Sequence, residues 1–320
     1  MKPKYTASLR QSRRSHTLAR AASSRRFRAR FLLAVLSLGA LLGVRWGQPE
    51  SARVLAAAQA NFIIALTANN QLLQFSAATP GTIINATSVT GLQAGDTLVG
   101  IDYRPAKGLL YAMGVNGATG RLYTINAVTG AATPVGTGFA LPQSAGTSVG
   151  KDYGFDFNPT VDRIRVVADS RDSFRLHPDT GAVAGVDFGL TAGAAVASAA
   201  YDRNFAGAKV TTLYAIDSNT DQLVSIGGID SAPSPNGGVV RPIGALGVNT
   251  SNEISFDIAN DAAGSAYAAL TVDGKSGFYT ISLTTGAATL VGTIGDGGVA
   301  IKGISIAPVG ALLPSSLAYT

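Results

Sequence analysis

The sequence predicts an all-β fold, a β-propeller of five four-stranded blades closed by pairing of its N- and C-terminal strands. Three observations predict it. Arg121–Thr137 (RLYTINAVTGAATPVGT) and Gly277–Thr293 (GFYTISLTTGAATLVGT) lie 156 residues apart and share 11 of 17 positions. A strand motif of Gly/Ser, apolar, Asp, apolar, any residue, Pro/Asn recurs along the chain, with some copies degraded. The two ends of the repeat region supply complementary parts of one unit.

Each element follows in order. The array opens in the second strand of a unit, with Phe62–Leu66, Leu72–Ser76 and Thr82–Ser88 as successive strands. The first-strand motif then appears as GIDYRP (100–105), GFDFNP (154–159), AAYDRN (199–204), SFDIAN (255–260) and GISIAP (303–308). With Tyr103, Phe157, Tyr201, Ile258 and Ile306 taken as equivalent, the spacings are 54, 44, 57 and 48 residues. Those are blade-sized intervals. Second strands follow at Leu109–Val115, Arg163–Ala168, Thr212–Ile216 and Ser265–Val272. Third strands follow at Leu122–Ala127, Phe174–His177, Gln222–Ile226 and Phe278–Leu283. Thr-Gly turns at 129–130, 180–181 and 285–286 lead into fourth strands. An orphan first strand, Ala300–Pro308, ends the array. Joined to the three opening strands it makes a fifth blade, and closure removes the exposed edges that invite aggregation.

Composition separates a leader from the rest. Residues 1–60 hold 12 of the 25 Lys/Arg and one of the 19 acids, which leaves 13 basic and 18 acidic residues in 61–320. The propeller region is therefore acidic, and net charge gives no support to nucleic-acid binding. There is no cysteine, which excludes disulfides, thiolate catalysis and Cys-ligated metal. The leader has a long basic start ending in Ser24-Arg25-Arg26-Phe27-Arg28 and an apolar run from Phe31 to Val44. That run is short of the ~20 residues that span a bilayer. Ala58 and Ala60 offer a cleavage site. The expectation is an exported protein, periplasmic or extracellular, carrying a twin-arginine-like signal cleaved near Ala60. A retained anchor is the alternative, and would be the chain's one membrane contact. The expected organisation is a leader (1–60), one propeller domain (61–308) and a C-terminal tail (309–320).

GFDFNPTVDRIRVVADSRDSFRLHPDTG (154–181) resembles the core signature of domain-of-unknown-function family 4394. LYAIDSNTDQLV (213–224) with GALGV (244–248) resembles its second signature. The resemblance covers about Asn61 to Pro308. It implies an exported bacterial propeller and carries no activity. The chain departs from the family pattern at Ser173-Phe174, where Asn-Leu is usual, and in the Pro/Ser-rich loop Ser231–Gly238.

Three groups are candidates for chemistry. Asp162 to Arg175 packs seven charges into 14 residues. Arg163 and Arg165 share a strand face and Arg175 sits on the next strand. With Asp156 and Asn158 they form a candidate site for a carboxylate, sulfate, phosphate or acidic sugar. The same residues also suit an Arg–Asp lattice that locks one blade to its neighbour. Asp217, Asn219 and Asp221 match the opening of a calcium loop, though Gln222 replaces the turn glycine and Gly228 replaces the twelfth-position glutamate. An Asx turn explains them as well. Calcium there is the single cofactor considered. Asp102, Asp156 and Asp257 recur at one repeat position and could meet on the propeller axis as a cation site, or cap backbone N–H groups. Ala200 and Ser305 break the ring.

Catalysis is thinly provisioned. His177 and Glu253 are the single histidine and glutamate after residue 60, and no catalytic residue is assigned. The expected function is a non-enzymatic binding or scaffold module for a protein or glycan. The alternative is a propeller hydrolase or lyase using the Arg/Asp cluster on an anionic substrate.

Overall fold

The computed structural model describes residues 61–145, 149–261 and 263–308. The leader (1–60), on which the expected export signal and cleavage site fall, and the tail (309–320) lie outside the described residues. No helix among the described residues is long and apolar enough to cross a membrane.

Five four-stranded antiparallel sheets form a five-bladed propeller. The chain opens with β1 (Phe62–Thr67), β2 (Gln71–Ser76) and β3 (Ile83–Ser88). The second blade is β4 (Thr97–Arg104), β5 (Leu109–Asn116), β6 (Thr119–Ile125) and β7 (Ala132–Ala140). The third is β8 (Tyr153–Asn158), β9 (Arg163–Ala168), β10 (Ser173–Leu176) and β11 (Val183–Val186). The fourth is β12 (Ala200–Tyr201), β13 (Leu213–Asp217), β14 (Gln222–Ile226) and β15 (Val240–Ala245). The fifth is β16 (Ile254–Ile258), β17 (Ala266–Val272), β18 (Lys275–Ile281) and β19 (Ala288–Thr293). The last strand, β20 (Ile301–Ile306), returns to pair with β1 and completes the first blade in the order β20-β1-β2-β3. The closure is a full ladder, running from Ile63 opposite Ile306 to Thr67 opposite Ile301.

Burial follows position in the blade. The inner strands β4, β8, β12, β16 and β20 pack on one another around the axis. They are buried on both faces, so Phe155-Asp156-Phe157 and Ile254–Ile258 carry no exposed residue. The outer strands alternate between half-buried and exposed, as in Ile83–Ser88 and Val183–Val186. One face of an edge strand meets the core and the other meets water. In every blade the third and outer strands slip register once, which is a bulge that twists the outer edge away from flat pairing.

The core lies between blades. Five apolar clusters each bridge two neighbouring blades. Phe157, Ile164 and Phe174 of the third blade meet Tyr111, Met113 and Leu122 of the second. Phe75 of the first blade meets Phe278 of the fifth edge-on, with ring centroids 5.3 Å apart.

The Thr-Gly turns explain the twin segments. Each turn between third and outer strands lies against the outer strand of the preceding blade. A Cβ on Gly130 would come within 2.3 Å of Ser88 O, one on Gly181 within 2.0 Å of Val135 O, and one on Gly286 within 2.2 Å of Gly244 O. All three glycines have positive φ (72°, 69° and 82°), a conformation costly for L-residues. The conserved pattern within the chain is thus a peripheral clasp between blades, reinforced by Ala132 N–H donating to Thr90 O and Ala288 N–H to Leu246 O, both 2.9 Å.

Candidate functional site

The Asp position of the first-strand motif falls on the propeller axis. Asp102 (β4), Asp156 (β8) and Asp257 (β16) are each at most 2% exposed. Their carboxylates come within 4.8 Å of one another, and among the described residues they are the single such group of three potential metal ligands. Ala200 on β12 and Ser305 on β20 fill the other two places.

The ring also links the blades. Each ring side chain accepts a backbone N–H from the next blade's inner strand. Asp102 Oδ2 accepts from Phe157 (2.8 Å), Asp156 Oδ1 from Tyr201 (2.9 Å), Asp257 Oδ2 from Ile306 (2.7 Å) and Ser305 Oγ from Tyr103 (3.1 Å). Ala200 has no acceptor to offer. The N–H of Ile258, which it would have served, bonds to Oδ1 of Asp257 instead (2.6 Å). The Ser305 hydroxyl donates to Asp102 Oδ1 (2.8 Å). Strand capping and a carboxylate ring are therefore the same residues.

Burial disfavours charge on all three acids. It pushes Asp102 up to about 7, against the lowering effect of its hydrogen bonds to Phe157 and Ser305. Asp156 is raised well above the carboxylate range by burial and by the neighbouring Asp102 and Asp257. Asp257 is raised by burial and by Asp102. Acids with a raised folded pKa stabilise the protein below their unfolded pKa, and that contribution is lost as pH rises through the folded value. In cation-free buffer, urea-melt stability should accordingly fall by a few kcal/mol between about pH 4 and pH 8. Asp102→Asn should flatten that slope. An unchanged slope in the variant would remove the ring as its source.

The Arg/Asp cluster is divided by the fold. Asp156 and Arg165 face each other across the β8–β9 ladder, and Arg175 faces Arg165 across β9–β10. The guanidinium groups nevertheless turn to Asp187, a residue sequence reasoning missed. Arg165 pairs with Asp187 and donates to Ser173 Oγ (3.0 Å) and to Asn236 Oδ1 of the fourth blade (2.6 Å). Arg175 donates to both Asp187 oxygens at 2.9 and 2.8 Å. Arg163 donates to the carbonyl of Asp162 (2.8 Å). Asn158 Oδ1 accepts from the N–H and hydroxyl of Thr160 (2.9 and 2.7 Å) and so holds its own turn. The structure joins Arg165 and Arg175 through Asp187 and brings neither Arg163 nor Asn158 to them. The signal for Asp187 was one acid closing an otherwise apolar and glycine-rich strand, VAGVD.

A second latch of the same kind joins blades two and three. Arg104, 3% exposed, donates to Asp162 (2.8 Å from Nε) and Asp179 (2.6 Å from Nη1). The two carboxylates hold the guanidinium more firmly protonated, and Arg104 with Lys107 holds Asp179 below the usual carboxylate range.

Asp217 closes β13, and Asn219 and Asp221 stand in the turn that follows. Asp217 Oδ1 accepts from Ala195 N–H (3.1 Å) and Asn219 N–H (2.9 Å). Asp221 Oδ1 accepts from Thr250 N–H (2.9 Å), and the Asn219 amide donates to Gly193 O (2.9 Å). These side chains tie loops of neighbouring blades together.

An opening also lies where the inner strands end. A cavity of about 370 Å³ sits at the C-terminal ends of β4, β12, β16 and β20. Tyr103, Asn204, Phe205, Asn260 and Asn61 contribute to its wall, and none of its lining residues is acidic. Two of the wall residues each bury a polar atom without a hydrogen-bond partner, Tyr103 Oη and Asn204 Oδ1. Phe205 is 44% exposed beside them. The sequence signal was the Pro/Asn that ends each copy of the strand motif.

Comparison with known proteins places the chain. A family model described as Domain of unknown function (DUF4394) matches residues 71–305, and the chain belongs to that family. No curated protein matches it. Among solved structures, it is similar to a chain of a nidogen/laminin complex at 10% identity and a TM-score of 0.45, over 78% of this chain and 98% of that one. It is similar to a putative 6-phosphogluconolactonase from Bacteroides uniformis at 15% identity and a TM-score of 0.40, over 74% and 83%. A protein of unknown function from Bacteroides thetaiotaomicron matches at 15% identity and a TM-score of 0.43, over 72% and 57%.

Proposed function

We propose that this protein is an exported, non-enzymatic binding module that holds a neutral, hydroxyl-rich ligand, such as the end of a glycan chain, in the axial mouth at the C-terminal ends of the inner strands. The observation that carries this reading is the 370 Å³ cavity itself, walled by neutral amide and aromatic side chains with no acid, two of whose residues bury an unpartnered polar atom, Tyr103 Oη and Asn204 Oδ1. A buried polar atom left unpaired costs about 1–3 kcal/mol, and a ligand that satisfies it recovers that cost. Tyrosine donates and accepts, and an amide oxygen accepts, so the two suit a hydroxyl network. Phe205 offers an apolar ring face beside them, and Asn61 and Asn260 add further amides. Arg104 reaches the wall, but its charge is committed to Asp162 and Asp179.

The chemistry of the wall argues for binding and against turnover. Glycoside hydrolysis needs two carboxyl groups flanking the bond, and the mouth holds none. His177 is occupied in its turn, where Nδ1 accepts from Asp179 N–H (3.2 Å). The basic, apolar leader supports export.

The test is titration calorimetry of the whole chain against neutral oligosaccharides. Saturable 1:1 binding is expected, weakened about tenfold or more by Asn204→Ala and by Phe205→Ala at unchanged melting temperature. Binding indifferent to both variants, or release of reducing sugar, would sink the reading.

A further inference from the structure

We propose that Asp102, Asp156 and Asp257 bind one hard divalent cation, of the calcium or magnesium class, on the propeller axis. This site lies inside the ring and is independent of the mouth and its ligand.

Three buried carboxyl groups within 4.8 Å of one another repel strongly, and something positive must reside among them if more than one is ionised. The hydrogen bonds orient the three carboxyl groups. Both oxygens of Asp257 accept backbone N–H groups, from Ile258 and Ile306. Both oxygens of Asp102 accept as well, from Ser305 and Phe157. Each carboxyl oxygen has two lone pairs, so one accepted bond still leaves a pair free to face a cation. Asp156 has one oxygen engaged, by Tyr201 N–H, and its other oxygen is free of such a bond. Among the described residues no lysine, arginine or histidine is ion-paired with any of the three. An all-oxygen set of three carboxylates matches hard divalent cations.

A second observation points to the same place. Ser255 stands two residues before Asp257 on β16 and thus on the same strand face, towards the axis. It is 5% exposed, and its hydroxyl is buried with no hydrogen-bond partner. It lines an axial cavity of about 10 Å³ with Gly100, Gly154, Ser198 and Gly303. These residues also stand two places before the ring positions of their own blades. That volume suits a single water. A water held by Ser255 would complete the cation's coordination from above the ring, where three of the five strands carry glycine and leave the axis open. The glycines are required by close approach: a Cβ on Gly154 would lie 2.4 Å from the Ser198 carbonyl carbon and one on Gly100 2.6 Å from Phe155 Cβ.

The experiment uses the purified whole chain at pH 8. After dialysis against chelator, addition of calcium, magnesium or manganese chloride should raise the melting temperature by about 5 °C or more at saturation. Elemental analysis should find one equivalent of metal after gel filtration. Asp257→Asn and Asp156→Asn should each abolish the shift, and Ser255→Ala should weaken affinity several-fold. Asp217→Asn and Asp221→Asn, at the β13–β14 turn, should leave it intact. Should the ring variants fail to fold, the metal content of the unaltered protein and the Ser255→Ala titration still decide. No bound metal and no thermal shift with any of the three ions would overturn the proposal. A shift lost in the turn variants and kept in the ring variants would overturn it as well.

Discussion

Replacing Gly181 with alanine is expected to lower folding stability by about 2–5 kcal/mol, read as a melting temperature reduced by about 10 °C. Two effects add. Its φ of 69° costs an L-residue about 1–2 kcal/mol. Its Cβ would also sit 2.0 Å from Val135 O, an atom of backbone that cannot rotate away, and overpacking of that kind costs about 1–3 kcal/mol. Gly108 supplies the control. It has positive φ (63°) but nothing within 4 Å of the added carbon. Gly108→Ala should therefore show the conformational cost alone. Equal losses at the two positions would mean that the clasp between blades two and three adds nothing.

Arg165→Met is expected to cost about 3–5 kcal/mol, because it leaves Asp187 buried and short of a partner. The Arg165 side chain is 2% exposed and the Asp187 side chain 4%. Arg175, at 31%, remains to Asp187 from the solvent side. Removing both charges should be milder than removing one. In Arg165→Met with Asp187→Leu, Arg175 can turn to water, and the core keeps its volume. Recovery of half or more of the single-variant loss, measured by urea unfolding, is the expected outcome. A double variant as damaged as the sum of the singles would show that the lattice acts through its separate contacts to Ser173 and Asn236.

The propeller was legible because its evidence is periodic. Four of the five blades repeat a strand motif, a Thr-Gly or Asx turn and a strand length, and the split first blade follows from β1 and β20 each lacking what the other supplies. The ring was legible in the same way, since Asp102, Asp156 and Asp257 recur at one place in the repeat. What strand periodicity cannot give is where a long side chain ends. Arg165 and Arg175 share a face with Asp156, yet a guanidinium reaches several ångströms and finds Asp187 and Asn236, both in irregular segments outside the repeat. Arg104 likewise crosses to Asp162 and Asp179 in turns of the next blade. The mouth was hidden for a related reason. Tyr103, Asn204 and Asn260 stand at or just beyond the ends of three of the five inner strands, and their convergence depends on the circular arrangement of those strands.

The pairing of β20 with β1 has a kinetic consequence. Ile63 and Ile306 meet across about 240 residues of chain. Loop-closure entropy must be met before that ladder forms, and long-range pairing slows folding. Until β20 arrives, β1 has an open inner edge and the Asp257 carboxylate lacks the Ile306 N–H that occupies it in the closed ring. A chain shortened before Ile301 thus exposes one unpaired strand and one uncapped acid at the same moment. The final six-residue strand is where an assembling molecule passes from an aggregation-prone intermediate to a ring without edges.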